Sequence, residues 1–275
     1  MVPFSGIVEK ILRVDDLLRE LEELCVTYTL HDVSNEVIQK QNRHVVPDYP
    51  LNAYRITMDL PPVPLRIPVV FGEILHHLRS SLDHVAHVLV WSSGKQPRTG
   101  AGGTAFPVRQ TLENGPARVK PAIWDEAAAF VESVQPYADP EHRGMDHPLS
   151  KITELNNIDK HRLLNVVAVA GGGMVAFRPR TDAEEPTSSE AQRYPVRLLS
   201  GREQVVTVKE PLVENPEMAG LWTYVVALGE GDGSWRVGVD GLARSLRNYV
   251  VMEVLHRVEP IVLQRLGTHE PTTTR

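Results

Sequence analysis

Three stretches, 6–29, 67–91 and 241–266, place apolar residues every third or fourth position along their whole length. Each must therefore bury one stripe of a long helix. In the first, Ile7, Ile11, Leu12, Val14, Leu17, Leu18, Leu21 and Leu24 fall near helical spacing. In the last, Leu242, Leu246, Val250, Val251, Val254, Leu255, Val258, Ile261, Val262 and Leu266 do so. Such stripes are most simply buried against one another, which predicts an antiparallel bundle. Shorter helices are expected over 121–134 and over 148–170, where Pro148 suits a first turn and the glycines of "AGGG" (170–173) form a stop.

Between these stretches the period changes to two. Ala53–Leu60, Met174–Arg178, Val196–Leu199, Gln204–Lys209, Leu221–Gly229 and Trp235–Val239 read as strands, and Asp-Gly in "GEGDGS" marks a tight turn. The fold class expected is α+β, mainly α: an antiparallel helical bundle with a small antiparallel sheet that the early strand joins. Residues 1–170 and 240–267 would form the bundle, including the strand at 53–60. Residues 171–239 would form a β-rich segment on it, and 268–275 a disordered tail. The polar run "RTDAEEPTSSEAQR" is expected to be a mobile loop.

A net charge of −6 argues against the broad basic footprint of a nucleic-acid-coating protein, though not against a local basic site. The single cysteine, Cys25, fits a reducing cytoplasm and reads as a small buried hydrophobe. The amino-terminal segment lacks the basic and long apolar regions of a signal peptide, and no apolar run would span a bilayer. "GAGGTA" (100–105) lacks a following Gly-Lys-Ser/Thr and reads as a loop rather than a phosphate cradle. No motif assigns a cofactor.

Chemistry is concentrated in two helical segments. "GEILHHLRSSLDHVAH" (72–87) holds four of the eleven histidines and no lysine. At 100° per residue, Ile74, Leu78, Leu82, Val85 and Leu89 share one side, and Glu73, His76, His77, Ser80, His84 and His87 the other. "ELNNIDKHRLL" (154–164) is dense in hydrogen-bonding groups: Asn156, Asn157, Asp159, Lys160, His161 and Arg162. Two Asn and an Asp are poor helix formers, so something other than propensity selects them. Packing the two helices together would bring Asp159 or His161 to His84, where an acid would orient the ring and raise its basicity.

Three readings follow. Imidazole titrates near neutrality and guanidinium matches phosphate, so Arg79 and His84 could work as an acid–base pair on a phosphodiester. Glu73 and His76 form a Glu-x-x-His pair, so Glu73, His76, His77 and His84 could ligate a metal; that reading needs a second such pair and two further carboxylates. Alternatively Arg79 and Asp83, one turn apart, simply pair, and the chain binds a ligand or partner without catalysis.

"RSSLDH" resembles the Arg-x(4–6)-His motif of the HEPN ribonuclease superfamily, with Ser80 where those proteins commonly carry Asn. The resemblance implies a helical-bundle, metal-independent ribonuclease, often with its site at a dimer interface. Arg79 would hold the phosphate and His84 act as acid and base, supported by Asp159 and His161. Asp83, Asn156, Lys160 and Arg162 would bind the ligand. "GEILHHLRSSLDHV", "AFPV" (105–108), "QPY" (135–137) and "LNNIDKHR" (155–162) also resemble, in that order, a recurring bacterial family, many of its members actinobacterial. That family shows "HNLRSALDHL … FP … QPY … LNxxDKHR", with Asn where this chain has His77. It implies a shared fold and no particular activity. The partners expected are RNA or a small phosphorylated ligand and a second copy of the chain, with no membrane.

Overall fold

In a computed structural model of the chain, residues 4–29, 36–39, 53–58, 62–100, 103–113, 115–140, 144–178, 196–200, 203–207, 217–229 and 238–267 are described. The long apolar stripes become helices α1 (Ser5–Thr29) and α2 (Arg66–Ser92) and a continuous closing stretch. The last comprises α5 (Val239–Tyr249), a π-helical segment (Val250–Leu255) and α6 (His256–Gly267), with Pro260 inside α6. Between them lie α3 (Asp125–Ser133) and α4 (Pro148–His161). The chain is mainly helical with antiparallel β structure, as its periodicity predicts.

Two units are distinguishable. The first comprises residues 1–22, 68–164 and 240–275; the second comprises 23–67 and 165–239. In the first, the stripe of α1 is buried at Ile7, Val14, Leu17 and Leu21, and that of α2 at Ile74, Leu78, Leu82, Val85 and Leu89. The closing stretch buries Leu246, Val250, Val254, Val258 and Val262. Each such side chain contributes about 1.5–3 kcal/mol of transfer free energy. A bidentate pair, Arg247 Nε and a terminal nitrogen on the two Asp15 oxygens at 2.8 and 3.0 Å, ties α5 to α1.

The second unit holds the strands. β1 (Glu36–Gln39), β2 (Ala53–Met58), β5 (Glu203–Thr207) and β4 (Val196–Ser200) form an antiparallel sheet in the order β1-β2-β5-β4. The early strand thus joins later ones, Ala53 standing opposite Thr207. β3 (Val166–Arg178) pairs with β6 (Glu217–Leu228) as a long two-stranded ribbon.

Here the sequence reading needs a correction. The helix expected over 148–170 ends at His161, and Val166–Ala170 opens β3. An apolar run fits a buried helix and a buried strand alike by periodicity. The β-branched Val166, Val167 and Val169, opposite Leu228, Ala227 and Val225 across the ladder, decide for the strand. The glycines that read as a helix stop instead accompany a register shift between Ala170 and Gly172, the usual place for glycine inside a strand. β1 was not legible in the sequence. The loop at 180–193, the Asp-Gly turn at 232–233, most of the strand expected at 235–239 and the tail at 268–275 lie outside the described residues.

Candidate functional site

The site is built in the first unit by a loop, 104–110, pinned from two sides. On one side, α2 presents Arg79 and Asp83 one turn apart. A terminal nitrogen of Arg79 donates to Asp83 Oδ1 at 2.7 Å and to the Phe106 carbonyl at 2.8 Å. Asp83 Oδ1 in turn accepts the Phe106 N–H at 3.0 Å. Both backbone groups of Phe106 are therefore held by one ion pair, while its ring is 1 % exposed.

From the other side comes Gln135, fully buried at the end of α3. Its amide donates to the Pro107 carbonyl at 3.0 Å and to Val131 at 2.9 Å, and its oxygen accepts the Arg109 N–H at 2.9 Å. Two residues on, the Tyr137 hydroxyl accepts the Ala117 N–H at 3.1 Å. Buried backbone polar groups need partners, and three of the four quoted segments supply them to one another.

The fourth segment meets α2 directly. Asp159 of α4 lies over Gly72: a methyl group on Gly72 would stand 2.6 Å from its Cγ and Oδ2. Burial pushes the Asp159 carboxyl above its ordinary pKa, and neighbouring His76 partly offsets this. Gly72 is thus the residue whose missing Cβ lets the two helices approach.

Asp159 consequently does not reach His84. Twelve residues along α2 separate Gly72 from His84, an axial rise of about 18 Å. His84 instead turns to α1, with Nδ1 3.7 Å from where a Cβ on Gly6 would sit. His77 faces the same helix, and its buried Nδ1 has no hydrogen-bond partner among the described residues. Burial, followed by the charge of Lys10, holds both imidazoles below their ordinary pKa. His76, Arg13 and the opposing Glu73 also act on His77, and His87 and the opposing Asp83 on His84.

The sign of the resulting pH dependence follows. A histidine whose pKa is lowered by folding takes up its proton more readily when unfolded, so stability falls as pH drops below about 6.5. Asp159 acts oppositely, its burial cost relieved only as its carboxyl protonates in the acid range. Melting temperature should therefore fall between pH 7.5 and 5.5, and His77→Gln should flatten that fall. A melting temperature that is unchanged or rises over this interval would contradict the packing of the histidine row on α1.

The metal reading fails on geometry. Glu73 and His84 are separated by about 16 Å of helix axis, and Glu73 pairs with Arg13 at 3.7 Å. A second Glu-x-x-His does exist, Glu253 and His256, unnoticed in the sequence. Both are exposed, and Glu253 pairs with Arg257 at 3.2 Å. Among the described residues no three His, Cys, Asp or Glu side chains are grouped to hold an ion.

What the pinned loop and α4 enclose is a groove of about 610 Å³. Val108 and Gln110 form the loop wall. From α4 come Ser150 and Thr153, then Glu154, Asn157 and Ile158, and at the carboxyl end His161 and its cap Arg162. The Thr153 hydroxyl donates to the Leu149 carbonyl at 2.9 Å and receives Arg79 at 3.5 Å, so the loop clamp backs the groove. Ser150 is 2 % exposed, and its Oγ is buried with no partner among the described residues.

Of the residues singled out in the sequence, His161 and Arg162 line this groove, and Asn157 lies between them and Glu154. Asn156 is buried and Lys160 exposed. Arg79 and Asp83 support the loop, Asp159 packs on Gly72, and His84 belongs to the α1 side. Ser150, Thr153, Val108 and Gln110 were missed; a serine near the start of a polar helix carries no signal of its own.

Also missed was His147, fully buried just before Pro148. Its Nδ1 accepts the Leu149 N–H at 3.2 Å, capping α4. This puts the proton of the neutral ring on Nε2, 3.0 Å from the Tyr249 hydroxyl, with Asp139 at 3.8 Å. Burial raises the Tyr249 hydroxyl well above its ordinary pKa. The cap fixes the amino end of α4 beside the residue where the closing helix turns π-helical. A histidine immediately before a proline at a helix start was the available signal.

Comparison with protein-family models, curated proteins and solved structures finds no match to this chain. No helix among the described residues is long and apolar enough to cross a membrane.

Proposed function

We propose that this chain is a ligand-binding protein whose site is the α4 groove, and that its ligand is a small phosphorylated molecule. The observation that carries this reading is a groove of ligand size with His161 and Arg162 together at one end, walled by Ser150, whose hydroxyl has no partner among the described residues. His161 and Arg162 supply donors for phosphate at one end, and the exposed Asn157 amide suits a hydroxyl-bearing body. The Arg79/His84 reading gains no comparable support. Arg79 already serves Asp83 and a main-chain carbonyl, and His84 lies against another helix.

Ribose 5-phosphate tests the proposal. It should raise the melting temperature of the wild-type chain, by the equivalent of about 2.7 kcal/mol at a hundred times Kd. Asn157→Trp, at an exposed position on the groove, should abolish that rise while the variant stays folded. No stabilisation, or stabilisation undiminished in Asn157→Trp, would overturn the proposal. So would RNA cleavage in EDTA that is lost in His84→Ala, which would return the function to the Arg/His pair.

A further inference from the structure

The groove is not uniformly basic, and its charge order narrows the ligand. Glu154, Asn157, Ile158 and His161 share one face of α4, and Arg162 follows as its extended carboxyl-terminal cap. Glu154 and His161 are seven residues apart, an axial separation of about 10.5 Å, and Arg162 lies one residue further. A ligand bearing only an anion would meet the Glu154 carboxylate, and one bearing only a cation would meet Arg162. The arrangement favours a molecule with a hydrogen-bond donor at one end and an anion at the other.

The middle of the groove adds shape. Val108 on the loop wall and Ile158 on the helix offer apolar surface, and the Asn157 amide offers one donor group and one acceptor beside it. Apolar walls with a few fixed polar groups suit the faces and edge of a planar ring. A nucleoside monophosphate has this form, with an exocyclic amine and a phosphate at opposite ends and a ribose between them.

Resting on the groove reading above, we infer that the α4 groove takes a nucleoside monophosphate whose base carries an exocyclic amine. The amine donates to Glu154, the base lies between Val108 and Ile158, and the phosphate accepts from His161 and Arg162. Because Glu154 only accepts when ionised, it discriminates an amine from a carbonyl at the same ring position.

CMP and UMP differ at that exocyclic group and in the proton on the neighbouring ring nitrogen, and make the test. By calorimetry on the full chain, CMP should bind about tenfold more tightly than UMP, the value of one hydrogen bond to a charged group. Glu154→Gln should collapse that ratio. Arg162→Gln should weaken CMP, UMP and ribose 5-phosphate together. Equal binding of CMP and UMP to the wild type, or a ratio that survives Glu154→Gln, would overturn the nucleotide assignment while ribose 5-phosphate binding left the groove standing. If none of the three binds, both readings fall.

Discussion

Replacing Arg79 with alanine is expected to destabilise the chain by about 2–4 kcal/mol, and Arg79→Lys is expected to recover little of it. The magnitude follows from what the guanidinium holds. It is only 16 % exposed, and its loss leaves the Asp83 carboxylate unpaired and the Phe106 carbonyl without its donor. Breaking a buried pair costs about 3–5 kcal/mol and orphaning a buried carbonyl about 1–3. The partial exposure of Asp83, 34 %, brings the pair toward the lower end. Lysine cannot replace it, because one ammonium on a flexible stem does not reproduce the fixed fork that reaches carboxylate, carbonyl and Thr153 together. Denaturant unfolding measures the cost. A loss below about 0.5 kcal/mol, the ordinary surface value, would mean that the loop is held some other way.

Gly72→Ala should also be destabilising, by about 1–3 kcal/mol, the usual cost of overpacking. This reverses the ordinary expectation, since alanine inside a helix is favoured over glycine by about 1 kcal/mol. The reversal comes from Asp159, whose carboxyl group occupies the space the methyl would need. In an Asp159→Ala background the same substitution should become neutral or stabilising. The double-mutant cycle reads this coupling directly. Additive effects would show that α2 and α4 do not approach at this point. Because burial penalises the ionised Asp159, Asp159→Asn should cost little at neutral pH.

The architecture was legible in the sequence where the physics is local. Apolar residues at helical spacing gave α1, α2 and the closing helix to within a residue or two, and period-two runs gave β2, β4 and β5. The exceptions were the short β1 and Val166–Ala170, where a fully apolar run has no period to read. The polar helix faces were harder. That 72–87 and 154–164 carry something besides solvent-facing charge was visible in their composition. What each side chain does was not, because the pairing of Arg79 with Phe106, of Gln135 with Pro107 and of Asp159 with Gly72 crosses between elements. Histidine density pointed to a site on α2, yet His77 and His84 turn to α1. Gln135 and Tyr137 of "QPY" carry no signal of their own, because their partners, the 104–110 loop for Gln135 and Ala117 for Tyr137, lie in another segment. The groove came from the combination of a pinned loop and a helix face, and no single segment encodes it.

The most direct test of the groove as the binding site is a map of amide chemical shifts during titration of the isotope-labelled chain with CMP. Perturbations should centre on Val108, Ser150, Asn157, His161 and Arg162 and fade toward the carboxyl-terminal half of α2. Perturbations centred instead on His84, His87 and the facing turn of α1 would contradict this account and place the ligand on the histidine row.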